Sequence, residues 1–399
     1  MAEPVRKHIV VSAVNIRRGG TLTVLRDCLQ YLSSCPDYAV TTLVHKQDLC
    51  DYPGIRYIEI PWSIQGWGRR LWCEYVTMNR ISKQLPAADL WLSLHDTTPR
   101  VRAKRQAVYC HTSFPFLKVH GRDWLMNPKI PLFATFTKYA YRIGVRRNAW
   151  LIVQQEWFRK GLSQLTNFPE GRIIVAPPKF QPLEIPGQAG NDGVGQAGND
   201  SVGQAGNDGV GQAGNDGKVL FFYPSGPDCH KNFETLCRAA AALEQQIGKG
   251  RFKVIITVKG DENRYAQWLK KNWGSVDSID FQGYVDREKL AALYGQADCL
   301  VFPSRVETWG LPISEFKPTG KPMILADLPY AHESAAGAKQ VAFYAVEDFQ
   351  QLSSLMLQII QRNFTNFARL LPSEPHAPHA ADWTKLFETL LSDENSATR

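Results

Sequence analysis

Apolar runs of four to seven residues recur along the chain, and each is followed by a longer segment with helical spacing. Strands are expected near 8–14, 39–45, 55–60, 89–94, 106–110, 150–154 and 172–176. A second series is expected near 218–223, 252–258, 278–282, 298–302, 321–325 and 341–344. Between them LTVLRDCLQYLSS, NFETLCRAAAALEQQI and REKLAALYGQA carry apolar residues at the 3.6-residue period of an amphipathic helix. Strands alternating with helices predict an α/β chain with two parallel sheets, each wrapped by helices. Two such Rossmann-like domains would face each other across a cleft at the carboxyl ends of their strands, where ligands of open α/β sheets bind.

Between the two series the pattern stops. Residues 187–218 are four near-copies of an octet, GQAGNDGV, GQAGNDSV, GQAGNDGV and GQAGNDGK, and hold eleven of the 30 glycines. With valine as its only large apolar residue, this segment cannot bury enough surface to offset its ordering entropy. It is expected to be a flexible linker spanning ~30 Å. A calcium-binding β-roll is the alternative, but its repeat is nine residues long with a different glycine spacing. The expected domains are therefore 1–186, the linker 187–218, 219–370, and a tail 371–399 ending in the helix ADWTKLFETLL.

Composition narrows the class. Hydrophobic residues at 44% and charged residues at 21% fit a globular chain rather than a disordered one. No run approaches the ~18 apolar residues of a membrane-crossing helix. The apolar stretch after MAEPVRK is too short for a signal-peptide core and reads as a first strand, so a cytoplasmic protein is expected. The eight cysteines are scattered singly, which points to reduced thiols rather than disulfides or a zinc site.

Charge is uneven. Residues 1–186 hold 26 Lys and Arg against 13 Asp and Glu, a net +13, whereas the rest holds 20 against 25, a net −5. Basic clusters at Arg100, Arg102, Lys104 and Arg105, and at Lys138, Arg142, Arg146 and Arg147, are interleaved with aromatic residues. Such a surface suits an anionic partner, a membrane face or a nucleic acid, with a solvated face as the plain alternative.

The most informative string is ETWGLPISE at 307–315, directly after the apolar run DCLVFPS. It puts Glu307 at a strand's carboxyl end and Glu315 in the opening turns of a helix. Gly310 permits close backbone approach, and Pro312 suits a helix's first positions. The helix start suits a diphosphate, and a carboxylate there could hold ribose hydroxyls. Two capping glutamates are the plain alternative.

With those residues in view, the chain resembles the retaining glycosyltransferases of the GT-B fold, family 4 type (glycosyl transferases group 1). Glu307 and Glu315 match that group's pair of glutamates separated by seven residues. FQGYVDREKLAALYGQADCLVFPS resembles the segment before it, and KVLFFYPSGPDCHKNFE its strand and loop ending in His-Lys-Asn. NIRRGGTLTVLRDCL resembles its glycine-rich first loop. The likeness covers mainly 218–345 and 8–30.

What the resemblance implies is specific. Lys231 would meet the donor phosphates, Glu315 the ribose, and Glu307 the transferred sugar. The amides of Thr308, Trp309, Gly310 and Leu311 would contact sugar and phosphate oxygens. Gly283, Tyr284 and Val285 would border the base, Gly19 and Gly20 would let the first loop approach the diphosphate, and His111 would face the transferred sugar. His95 is a rival histidine on the preceding strand. One departure stands out: many members carry an arginine five residues before the lysine, where this chain has Gly226, which leaves Arg305 or Arg17 as substitutes.

With no Asp-x-Asp triplet and no His/Cys cluster, neither a metal nor another cofactor is expected, and Lys231 and the helix start would meet the leaving-group charge. The expected function is a metal-independent, retaining hexosyltransferase. It would move a hexose or N-acetylhexosamine from a nucleotide-sugar, a UDP-sugar first, to a glycan or lipid-linked acceptor such as bacterial lipopolysaccharide. It would work at the inner face of an anionic membrane, with no nucleic-acid partner. A nucleotide-sugar 2-epimerase of the same fold and a catalytically inactive adaptor remain the alternatives.

Overall fold

The computed structural model describes residues 6–17, 19–178, 185 and 217–392. The repeat expected as a linker lies outside these residues apart from its last two positions. All thirteen anticipated apolar runs form strands, in two wholly parallel sheets.

The first sheet contains β1 (Lys7–Ala13), β2 (Tyr38–Val44), β3 (Ile55–Glu59) and β4 (Ala88–Ser93), followed by β5 (Ala103–Tyr109), β6 (Trp150–Val153) and β7 (Ile173–Val175). Their order is β3-β2-β1-β4-β5-β6-β7. The central strand β1 is buried on both faces from Ile9 to Ala13, as its β-branched run dictates. The edge strand β3, IRYIE, has no fully buried position, which suits a strand with a neighbour on a single side.

The second sheet contains β8 (Val219–Tyr223), β9 (Phe252–Ile256), β10 (Ile279–Phe281), β11 (Cys299–Phe302), β12 (Met323–Ala326) and β13 (Val341–Tyr344). Its order, β10-β9-β8-β11-β12-β13, repeats the topology of the first. In both, the chain runs outward from a central strand and then returns to that strand's other side. The switch points, between β1 and β4 and between β8 and β11, leave crevices at the strands' carboxyl ends.

By packing, the chain divides into two units. One comprises the described residues before 180, Val306–Trp309 and those from Ser373 onward; the other holds the remaining described residues, through Arg305 and then Gly310–Pro372. The tail therefore belongs with the first unit. Pro378 and Ala380 pair with Val175 of β7. Asp382 then caps the helix Trp383–Leu391, accepting from the Lys385 amide at 2.8 Å. Leu386, Phe387 and Leu390 of that helix enter the same core as Leu25 and Leu29 of the helix Gly19–Ser33, and Phe387 stacks on Tyr31 at 5.6 Å. All eight cysteines are free thiols, and all but Cys35 are buried.

Candidate active site

The predicted residues fall in both units, beyond the carboxyl ends of strands of each sheet. In the second unit, β8 leads into the 3-10 turn Cys229–Lys231 and then the helix Phe233–Ile247. Asn232 joins them with φ 56°, a left-handed conformation that asparagine tolerates better than most residues. Its side chain donates to the carbonyls of Pro303 (3.1 Å) and Val346 (2.7 Å) and accepts from Thr235 Oγ1 (2.8 Å). The Lys231 carbonyl accepts from Tyr223 Oη at 2.9 Å. The Arg305 amide donates to the His230 carbonyl at 2.7 Å, and its guanidinium to the Cys229 carbonyl at 3.1 Å. The lysine turn is thus fastened to the ends of β8, β11 and β13. Burial, then the charges of Lys231 and Arg305, hold the His230 imidazole well below its ordinary value, so it stays neutral.

This arrangement bears on the departure at Gly226. Arg305, one of the two proposed substitutes, is bonded to the turn that carries Lys231. Arg17 lies in the first unit, near His45.

After β11 the chain reaches Gly310 (φ 85°) and the short helix Leu311–Phe316, with Pro312 in its first turn. A Cβ on Gly310 would lie 3.2 Å from Ile313 Cδ1 and 3.5 Å from the Tyr330 ring, so both backbone angle and space call for glycine. Glu315 Oε2 accepts from Tyr294 Oη at 2.8 Å. Tyr294 itself is buried against Phe222 and Phe316. Burial raises the Glu315 carboxyl above its ordinary range, with the Tyr294 bond and Arg287 pulling the other way. A capping glutamate would instead turn back to the helix's own amides.

Gly283 has φ 78°, and a Cβ there would come within 3.1 Å of Lys259 Cβ; Tyr284 beyond it is 91% exposed and Val285 half-buried. Glu307, Thr308 and Trp309 are half-buried and group with the first unit.

In the first unit, Gly19 (φ 70°) and Gly20 open a helix directly beyond β1, with no atom within 4 Å of where a Gly19 Cβ would stand. The two histidines differ. His95 is buried between Ser12 Oγ and Thr97 Oγ1, each at 2.9 Å, with its Nδ1 3.5 Å from Glu74. Burial holds it below its ordinary value against the pull of Glu74, and both ring nitrogens are engaged. His111 stacks on Tyr109 at 4.5 Å, and its Nε2 is buried with no hydrogen-bond partner among the described residues. Burial pushes its pKa down to about 4, with Asp96 opposing.

Two residues that sequence reasoning missed organise this end of the sheet. Asp96 (φ 66°) accepts from the amides of His111 (2.5 Å) and Thr112 (3.0 Å), from Thr112 Oγ1 (2.9 Å) and from Tyr141 Oη (2.8 Å). Glu74 is fully buried in a π-helical turn, Cys73–Thr77, and binds Arg70 Nε (2.9 Å) and Thr97 Oγ1 (2.7 Å). Asp96 had a readable signal, an acidic residue just past an apolar strand; nothing in the sequence marks the π turn.

Residues 211–369 match the family described as glycosyl transferases group 1. Over that stretch the chain is similar to the group 1 glycosyl transferases.

A 100-residue stretch is 32% identical to D-inositol 3-phosphate glycosyltransferase 2 of Catenulispora acidiphila, covering 23% of this chain and 23% of that relative's length. Similar solved structures span nearly everything. WaaG, a glycosyltransferase involved in lipopolysaccharide biosynthesis, superimposes with a TM-score of 0.60 at 16% identity over 88% of this chain and 90% of its own. HepE of Anabaena, solved with UDP-glucose, gives 0.57 at 14% identity over 89% and 90%. The fold is GT-B.

Proposed function

We propose that this chain is a group 1 glycosyltransferase, metal-independent and retaining, that uses a UDP-sugar. The observation that carries the reading is the lysine turn, a cationic side chain on a backbone fixed by Asn232 and Arg305 at a switch point. As the glycosidic bond breaks, negative charge gathers on the departing diphosphate. Lys231, with Arg305 beside its turn, supplies fixed positive charge for it without reorganisation. Glu315, its rotamer held by Tyr294, accepts from ribose hydroxyls, and Gly283 to Val285 border the base. Thr308 to Leu311 offer amides to sugar and phosphate oxygens, and Gly19 and Gly20 admit the diphosphate.

In the same proposal Glu307 and His111 attend the transferred sugar. A neutral His111 with an unengaged Nε2 suits a sugar hydroxyl. The sugar is a hexose or N-acetylhexosamine, and the acceptor is a glycan of lipopolysaccharide or another bacterial surface polysaccharide, presented at an anionic membrane's inner face. The likeness to WaaG supports the acceptor class, and the UDP-glucose on HepE the donor class.

The test is a panel of UDP- and GDP-sugars with candidate glycan acceptors, read by nucleotide release and by NMR of the product's anomeric centre, with and without EDTA. Acceptor-dependent UDP release that survives EDTA and keeps the donor's anomeric configuration is expected. Turnover of the UDP-sugar alone into its C2 epimer would make the chain an epimerase, and no turnover with intact nucleotide binding would make it an adaptor.

A further inference from the structure

The helix Lys129–Arg142 has two apolar stripes where a surface helix needs one. Ile130, Ala134, Thr137 and Tyr141 face the core. Leu132, Phe136 and Tyr139, with Ile143 just beyond, recur at the same helical spacing about half a turn away, and all four are exposed, Phe136 by 65%. The stripe does not stand alone. Trp67 packs on Phe133 of this helix at 5.5 Å, which joins it to the helix Trp67–Trp72, where Leu71 and Trp72 are also exposed. Trp124 and Leu125 of the preceding helix, Gly121–Met126, add to it. Nine of the thirteen exposed large apolar side chains among the described residues lie in these three helices and at Ile143.

Charge identifies what covers this face. Across 61–80 and 117–147, nine Lys and Arg side chains are exposed, whereas the only acids, Glu74 and Asp123, are both buried. At the helix's carboxyl end, Arg142 and Arg146 line an open groove of about 580 Å³ together with Gly144, Thr166 and Asn167. We propose that this apolar, cation-rimmed face docks the chain on an anionic phospholipid bilayer. Its tryptophans, Phe136 and Leu132 enter the headgroup boundary, and the arginine groove takes a lipid phosphate. A second copy is a poor occupant, because two such faces bring like charges together. A nucleic acid leaves the apolar stripe unused. The inference gives the proposed membrane acceptor a docking site and rests on that part of the functional reading.

The test is flotation of the full chain with vesicles of phosphatidylcholine alone or with 30% phosphatidylglycerol (by design), at low and high salt. Two variants accompany it: Trp72→Ser/Leu132→Ser/Phe136→Ser, which leaves charge unchanged, and Lys138→Glu/Arg146→Glu, which leaves the apolar stripe intact. The expected result is partition onto anionic vesicles that salt weakens, reduced about tenfold or more in each variant with far-UV circular dichroism unchanged. Wild type that stays unbound, equal binding to neutral vesicles, or folded variants that bind as wild type would each overturn it. So would a dimer in light scattering that the serine variant dissolves. A thermal shift with UDP on the same samples keeps the two readings apart: a wild type that responds to UDP but does not float ends the docking proposal alone, and a wild type that floats but does not respond to UDP ends the donor-site reading alone.

Discussion

Tyr294 Oη donates to Glu315 Oε2 across 2.8 Å, joining the helix Arg287–Gln296 to the second glutamate of ETWGLPISE. The tyrosine is buried and wedged between Phe222 and Phe316, so the bond fixes where the carboxylate points. A carboxylate meant for two ribose hydroxyls gains from such a brace, because little rotamer freedom is left to lose on binding.

Removing the brace should therefore weaken nucleotide binding. Tyr294→Phe keeps the packing but deletes the donor, and UDP affinity is expected to fall by about tenfold, the worth of one hydrogen bond to a charged group. Isothermal titration checks it; unchanged affinity would show that the bond does not position Glu315 for a ligand.

Glu315→Gln carries an opposite pair of outcomes. Burial raises the Glu315 pKa in the folded chain. The folded state therefore binds the proton more tightly than the unfolded state, and the carboxyl's contribution to stability falls as pH rises through that window. Above it, the neutral glutamine should melt at a higher temperature than wild type while losing the response to UDP. A lower melting temperature at pH 8 would contradict the sign.

Asn232 is expected to be costly to change. Asn232→Ala removes three hydrogen bonds of a buried side chain and puts alanine at φ 56°, for a loss of ~2–4 kcal/mol in chemical denaturation. Asn232→Gly relieves the backbone term only, so the glycine variant should be the more stable of the two.

His111 should give the chain an acid-side weakness. An unfolded histidine takes its proton near pH ~6.5, whereas the folded one resists until about pH 4. Stability attributable to this residue is present above the upper value and is lost as pH falls through the window, by up to roughly 3 kcal/mol. His111→Gln should flatten that part of the stability curve between pH 7 and 4; an identical slope in the variant would contradict it.

How much of this was readable in the chain depends on sequence distance. Strands such as IVVSA and VLFFY announce themselves because a parallel sheet buries both faces of its central strands. His-Lys-Asn and ETWGLPISE are likewise legible, since each concentrates its special residues within nine positions. What stayed hidden depends on partners far apart. Asp96 acts through Tyr141, 45 residues on, and Asn232 reaches Val346 across 114. The return of Trp383–Leu391 to the first unit depends on Tyr31, which lies more than 350 positions earlier. Local spacing cannot report such pairings, and the bond from Arg305 to the Cys229 carbonyl, 76 positions earlier, was hidden for the same reason.

The central claim is that Lys231 and Glu315 form a nucleotide site that works without a divalent ion. Its most direct test is the thermal shift of wild type, Lys231→Ala and Glu315→Gln with UDP and GDP in the presence of EDTA. The account predicts that UDP raises the melting temperature of wild type in EDTA and leaves both variants unmoved. A wild type indifferent to UDP, or stabilised by it only when a divalent ion is restored, would contradict it.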